Sequence, residues 1–293
     1  MSDVVLTHNQ YGKAENRVVR ITRDTPRHEI EDLNVTSQLR GDFAAAHLEG
    51  DNSHVVATDT QKNTIFAFAK DGVGSPEAFL LRLADHFTGD FDWVTGGRWA
   101  AEQYTWARIN DHDHSFYRTN AETRTAVVVR DGDTDTVIAG FHGLTVLKST
   151  ESGFEGYPKD RYTTLKETND RILATDIATR WRYNTADVDY NAAYADIKAI
   201  ILATFTQGYS AALQQTLYQM AEAVLAAHPE VDEIKFSCPN KHHFVVDLSP
   251  FGLENPNEVF YAADRPYGLI EATVQRADAG TADAAWVGIA GFC

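Results

Sequence analysis

Apolar residues at every second position mark strands along this chain, and apolar residues recurring at three- and four-residue steps mark helices. Arg17 to Thr22 and Leu33 to Leu39, the latter with Leu33, Val35 and Leu39 on one face, are predicted strands joined by the turn-rich TRDTPRHE, hence a hairpin. Thr58, with Gln61 three residues on, forms a capping-box pattern for a helix that ends before Gly72. A second helix has Ser75 as its N-cap, Pro76 at its first position and Phe79, Leu80, Leu83 and Phe87 as its apolar face, with Gly89 as its stop. Trp93 to Ile109 and Thr123 to Arg130, rich in aromatic and β-branched residues, are predicted strands. The first half thus runs strand, strand, helix, helix, strand, strand.

The second half repeats that order without obvious sequence identity. Strands at Thr136 to Lys148 and Ala178 to Tyr183 precede helices at Ala192 to Gln207, stopped by Gly208, and at Ala211 to Ala227. Strands at Glu233 to Cys238 and Phe244 to Leu248 follow, with a last one near Leu269 to Gln275. Pro239 is expected to close the first of these, leaving Asn240, Lys241, His242 and His243 in a short hairpin connection, with Asn240 and His242 on one side and His243 on the other. The stretch from Gly153 to Arg171 is long for a connector and reads as a site loop. The expected fold is α+β, two antiparallel sheets each with a helix pair on one face, in modules 1–135 and 136–293. Open sheet edges invite pairing with another subunit.

Composition narrows the function classes. The 293 residues, 43% of them apolar, are enough for two cores, and a net charge of −16 argues against a nucleic-acid or anionic-membrane binder. Two cysteines, Cys238 and Cys293, are too few for a disulfide framework and imply a reducing compartment. With no span-length apolar run, no signal-peptide core and no SKL-type ending, the expected location is cytoplasmic.

Taken singly, the polar candidates have bland readings. DHDHSF at Asp111 to Phe116 tempts a metal assignment, since His112 and His114 would share a strand face, but no third ligand is spaced to complete a site. Lys13 reads as a solvated lysine, Thr58 and Asp59 as a helix cap, Gln214 as a helix-boundary residue, Arg171 as half of an ion pair with Glu167, and Phe154 as a loop anchor. No dinucleotide, Walker, nucleophile-elbow or C-x-x-C motif occurs.

Taken together, YGK near the start, VATDTQKNT, HSF, the block LTVLKSTESGFEGYPKDRYTTLKETNDR, QMAE, PNKHHF and GLIEATV resemble the urate oxidase (uricase) family over nearly the whole chain. The resemblance implies tandem tunnelling-fold modules closed into barrels by assembly into a homotetramer. It also implies oxidation of urate by dioxygen and water to 5-hydroxyisourate and hydrogen peroxide, with no metal and no organic cofactor. By the same resemblance Lys13, Thr58 and His242 are the catalytic set. Arg171 and Gln214 clamp the ring, Phe154 stacks on it, and Asn240 with Thr58 holds dioxygen and later water. Backbone groups at Asp59 and Leu213 and the side chain of Ile270 complete the pocket. Family precedent puts Lys13, Thr58 and Asp59 on one subunit and Phe154, Arg171, Gln214 and His242 on its neighbour. His243 stands where an aromatic is common, and DHDHSF lacks a proline often found between its histidines. The alternatives are another purine or pterin enzyme of the same fold, which would want a zinc set, and a urate-binding protein without catalysis.

Overall fold

A computed structural model describes residues 4–293. In chain order the elements are β1 (Tyr11–Thr22), β2 (Glu29–Gly41), α1 (Ala44–Leu48), α2 (Thr58–Lys70), α3 (Pro76–Asp90), β3 (Val94–Arg108), β4 (Phe116–Asp131), β5 (Thr134–Lys148), β6 (Leu173–Tyr183), α4 (Tyr190–Phe205), α5 (Leu213–Ala227), β7 (Val231–Val245), a 3-10 turn (Ser249–Phe251), β8 (Phe260–Gln275) and α6 (Asp283–Trp286). Two strands, two principal helices and two strands thus occur twice. Within the chain two compact units form, one from the residues up to Phe141 with Arg182–Ala192 and Thr281–Trp286, the other from His142–Trp181, Ala193–Gly280 and Val287–Cys293.

In the first unit β1, β2, β3 and β4 pair antiparallel in chain order. Alternation along β2 buries Leu33, Val35 and Leu39, and α3 lays Phe79, Leu80, Leu83 and Phe87 over that layer, with Phe87 stacked parallel to Trp99 at 6.5 Å. Each such side chain contributes about 1.5–3 kcal/mol of burial. The Ser75 hydroxyl accepts from the Ala78 N–H at 3.1 Å ahead of Pro76, as the cap pattern requires. In the second unit α4 buries Ala193, Ile197, Ile201 and Phe205 at helical spacing, and α5 buries Leu213, Leu217, Met220 and Val224 beside β7, which contributes Ile234 and Phe236.

Three expectations change. β7 continues through Pro239 to Val245, so NKHH lies inside a long strand and not at a hairpin tip. Proline is tolerated there because the pairing with β8 breaks directly after it, at Asn240 to His242, where a missing ladder N–H disturbs least; its carbonyl accepts from the Thr175 hydroxyl at 2.8 Å. β8 starts nine residues before Leu269, at Phe260, and is mostly exposed, which erases the alternation that betrays a strand. The Thr58 capping box does not form: Ala57 is the N-cap, and Gln61 is instead buried against Ser37. Edge strands β1 and β8 each pair on one side only among the described residues. No helix among them is long and apolar enough to cross a membrane, and both cysteines are free.

A buried ion pair fastens α3 to β4. Arg124 donates to the Glu77 carboxylate at 2.7 Å, to the Asn191 carboxamide at 2.7 Å and to the Tyr190 carbonyl at 3.1 Å. Burial outweighs the arginine and raises the Glu77 carboxyl above its ordinary range. Arg124→Met should cost roughly 3–5 kcal/mol in urea unfolding at neutral pH, since it strands a buried carboxyl. Relative to Glu77→Gln/Arg124→Met, the deficit should vanish below the unfolded-state pKa of Glu77 and grow as pH rises toward its raised folded value.

Candidate active site

In the first unit, the YGK segment is fixed by close packing. The Tyr11 hydroxyl donates to the Val56 carbonyl at 3.1 Å, which ties β1 to the segment leading into α2. Gly12 lies so near β2 that a Cβ would stand 1.8 Å from the Ser37 carbonyl oxygen, so only glycine fits. Lys13 pairs with Ser37, and directly after it β1 bulges, with Glu15 at φ 56° and Asn16 donating to the carbonyls of Lys13 at 3.2 Å and Val35 at 3.1 Å. Ser37 in turn donates to buried Gln61 at 3.0 Å, and the Gln61 amide reaches the Val56 carbonyl at 3.4 Å. Lys13 and the start of α2 are therefore fixed to one scaffold.

Thr58 and Asp59 are the first two residues of α2, where backbone N–H groups lack helical acceptors and the helix dipole favours negative charge. The half-buried Thr58 hydroxyl has no hydrogen-bond partner among the described residues. The Asp59 carboxylate is taken up by Lys62 and by Asn63 at 3.0 Å. Those bonds, with Lys62 foremost and Lys13 contributing charge, hold it below the usual carboxylate range. Its backbone remains the part available to a ligand.

In the second unit, a cavity of about 540 Å³ is lined by Phe154, Thr168, Arg171, His242, His243 and Phe260, among others. Phe154 and Thr168 exchange backbone bonds at 2.7 and 3.2 Å, which folds the long loop onto itself. The Arg171 N–H donates to the Ser152 carbonyl at 2.8 Å, its Nε to the Ser152 hydroxyl at 3.4 Å, and its guanidinium carbon lies 5.4 Å from the centre of the Phe154 ring. No carboxylate pairs with Arg171 among the described residues, so the expected ion pair with Glu167 does not form; Glu167 instead accepts from Gly156 and faces Lys159. The two terminal nitrogens of Arg171 have no protein partner among those residues. Burial lowers its pKa, as expected of a cation held partly out of water.

His242 lies opposite Ala263, one step past a register break that leaves Asp264 to Tyr267 of β8 as extra residues. Burial first, then the charges of Arg171 and His243, lower the His242 pKa, so the ring is neutral at neutral pH. Asn240 faces Gly268 across the sheet and Ile270 faces Cys238, whose thiol burial pushes up to about 12. Leu213 and Gln214 open α5, Leu213 buried and Gln214 exposed, so a second helix N-terminus is present in this half of the set. The cavity brings together Phe154, Arg171 and His242; Gln214, Leu213, Asn240 and Ile270 belong to the same unit but not to its wall. His243, expected to point away, also lines it, because the break at Asn240 to His242 disturbs strict alternation. Sequence patterning missed this break, the β1 bulge and both free helix ends.

The histidines of DHDHSF fall in the turn between β3 and β4, with Asn110 and Asp111 at φ 47° and 56°. Their rings meet edge to face at 4.5 Å instead of sharing a strand face. Among the described residues no group of three or more His, Cys, Asp or Glu is arranged to hold a metal ion.

The family model described as Uricase matches residues 9–129 and 137–271. A uricase of Arthrobacter globiformis is 65% identical over 290 residues, 99% of this chain and 96% of that protein. One from Dictyostelium discoideum is 38% identical over 92% of this chain and 97% of its own. The crystal structure of the Arthrobacter uricase superposes with a TM-score of 0.93 at 65% identity, covering 96% of this chain and 98% of that one.

The proximity of Arg171 to His242 has a measurable consequence. Replacing Arg171 by Gln removes a positive charge from the imidazole's surroundings, so the His242 pKa should rise back toward its ordinary value. An NMR titration of the ring protons measures this, and an unmoved titration contradicts the electrostatic link between them.

Proposed function

The chain belongs to the uricase family, whose tunnelling fold it shares and whose activity makes it an oxidoreductase acting on urate, and we propose the following division of labour among its residues. Urate, dioxygen and water become 5-hydroxyisourate and hydrogen peroxide. Two electrons leave the purine and reduce dioxygen, while the oxygen added to carbon 5 comes from water, so atoms and charge balance. The urate dianion is itself electron-rich enough to serve as the reductant, which is why we assign no cofactor and no metal.

Urate is flat and anionic, with N–H and C=O groups alternating along its edge. The unpaired, half-buried Arg171 guanidinium beside the Phe154 ring is the observation that carries the assignment. A guanidinium fork matches two edge acceptors and a phenyl face matches the ring plane. Gln214 holds the opposite edge, and the free N–H groups at Leu213 and Asp59 add donors at two helix N-termini, where an anion is favoured. Lys13 and Thr58 form the base couple that removes the urate proton, and neutral His242 relays it through water. Asn240 and Thr58 hold dioxygen and then water above the ring, and Ile270 closes the pocket.

The assignments divide between the two compact units: Lys13, Thr58 and Asp59 lie in one, and Arg171, Phe154, Leu213, Gln214, Asn240, His242 and Ile270 in the other. We place the complete site between subunits of a homotetramer, in which edges β1 and β8 pair with neighbours and close the modules 1–135 and 136–293 into barrels. The setting is cytoplasmic.

Loss of the urate absorbance band should be accompanied by equal uptake of dioxygen and release of peroxide, undiminished by a strong chelator. Activity abolished by chelation and restored by one metal would overturn the cofactor-free assignment. Arg171→Lys keeps the charge but not the fork, and should weaken binding of a non-reactive urate analogue by about 1–3 kcal/mol. Unchanged analogue binding would remove Arg171 from the site.

A further inference from the structure

Three hydroxyl side chains without a role in the chemistry above lie buried where the loop of Phe154 and Arg171 meets the start of α5. Ser152, Ser210 and Thr216 are 0%, 3% and 4% exposed. Buried hydroxyls are costly unless bonded, and each of these is bonded, Ser152 to the Arg171 Nε and Ser210 and Thr216 to each other. Thr216 and Ser210 share a hydrogen bond of 2.6 Å. Whichever of the two accepts in that bond is free to donate to the carbonyl of Ala212, 3.2 Å from Ser210 and 3.4 Å from Thr216, and Ala212 is the extended N-cap directly before Leu213 and Gln214.

On its other side Ser210 forms a parallel bridge with Ser152, its N–H donating to the Glu151 carbonyl at 2.9 Å and its carbonyl accepting from Gly153 at 3.0 Å. Ser152 in turn accepts from both the backbone N–H and the Nε of Arg171. A Cβ at Gly153 would displace the Tyr209 hydroxyl and stand 2.9 Å from the Thr168 carbonyl oxygen, so a side chain there would press on the backbone of the loop. A continuous path thus runs from the Arg171 guanidinium through Ser152 and Ser210 to Ala212, two residues before Gln214.

We propose that Thr216 and Ser210, acting through Ser152, are positioning residues that set the spacing between the Arg171 fork and the Gln214 carboxamide, and so the width of ring edge the clamp accepts. This rests on the reading of Arg171 and Gln214 as the urate clamp. The loop is joined to Ser210 by the two backbone bonds, and the Ser210–Thr216 hydroxyl bond fixes the first turn of α5 to Ser210, so without it the start of the helix can drift by fractions of an ångström relative to the loop, which a two-ended clamp does not tolerate.

The test uses the full-length assembled enzyme. Thr216→Val keeps shape and removes the hydroxyl; it should raise KM for urate and the Kd of a non-reactive purine analogue in parallel, by about tenfold, with kcat changed less than about threefold. Thr216→Ser restores the hydroxyl and should return both to within about twofold of the parent. A merely structural role would lower the thermal midpoint without this split. Analogue affinity unaltered in Thr216→Val, or Thr216→Ser no better than Thr216→Val, overturns the proposal. If Thr216→Val does not fold, Ser210→Ala removes the same bond from its other end and carries the same expectation. Arg171→Lys and Gln214→Ala test the clamp itself: if neither weakens the analogue, the clamp reading falls, and if both do while Thr216→Val does not, only the positioning role falls.

Discussion

A guanidinium that is half-buried without a carboxylate costs free energy, and the second compact unit accepts that cost at Arg171. Its loop is folded back through the Phe154–Thr168 bonds, its backbone is pinned to Ser152, and its Nε is given a hydroxyl and not a carboxylate. An ion pair here would satisfy the charge and occupy the fork. The terminal nitrogens are left without a protein partner among the described residues, and the charge of Arg171 adds to burial in lowering the pKa of His242.

The first unit solves a different problem, that of holding a flexible lysine in place. Lys13 has a long stem and many rotamers, and its backbone is fixed by Gly12 pressed on Ser37, by the bulge that follows and by Asn16. The Val56 carbonyl, shared by Tyr11 and Gln61, fixes the start of α2 to the same strand. A lysine and a hydroxyl mounted on one rigid frame need little reorganisation to act together, which is what the proposed base couple requires.

Much of this was legible from the chain, for reasons that particular residues illustrate. Helix α3 shows in Ser75, Pro76 and the spacing of Phe79, Leu83 and Phe87 because capping and amphipathic burial are local rules. Only the end of β8 shows, from Leu269 to Gln275, because the exposed stretch from Phe260 buries too little to alternate. Pro239 misleads, since the register break that accommodates it lies in the pairing with β8, a partner distant in sequence. Thr58 and Gln61 match a cap by spacing, yet Gln61 is drawn into the core by Ser37. No single candidate was decisive by residue type, and the motifs named the site only as a set. Free nitrogens on Arg171 and two uncapped helix starts are properties of folded neighbours, which spacing does not encode.

The proposed site residues divide between two compact units, and the strand edges β1 and β8 pair on one side only among the described residues; in the proposed assembly, subunits associate through these edges to complete the site. Lys13→Ala and Arg171→Ala should each be inactive as purified assemblies. Dissociated, mixed in equal amounts and reassembled, they should regain activity amounting to about a quarter of the parent's sites, because a shared site then draws an intact half from each variant at random. No activity in mixed assemblies whose subunit exchange has been verified by mass would contradict the shared site.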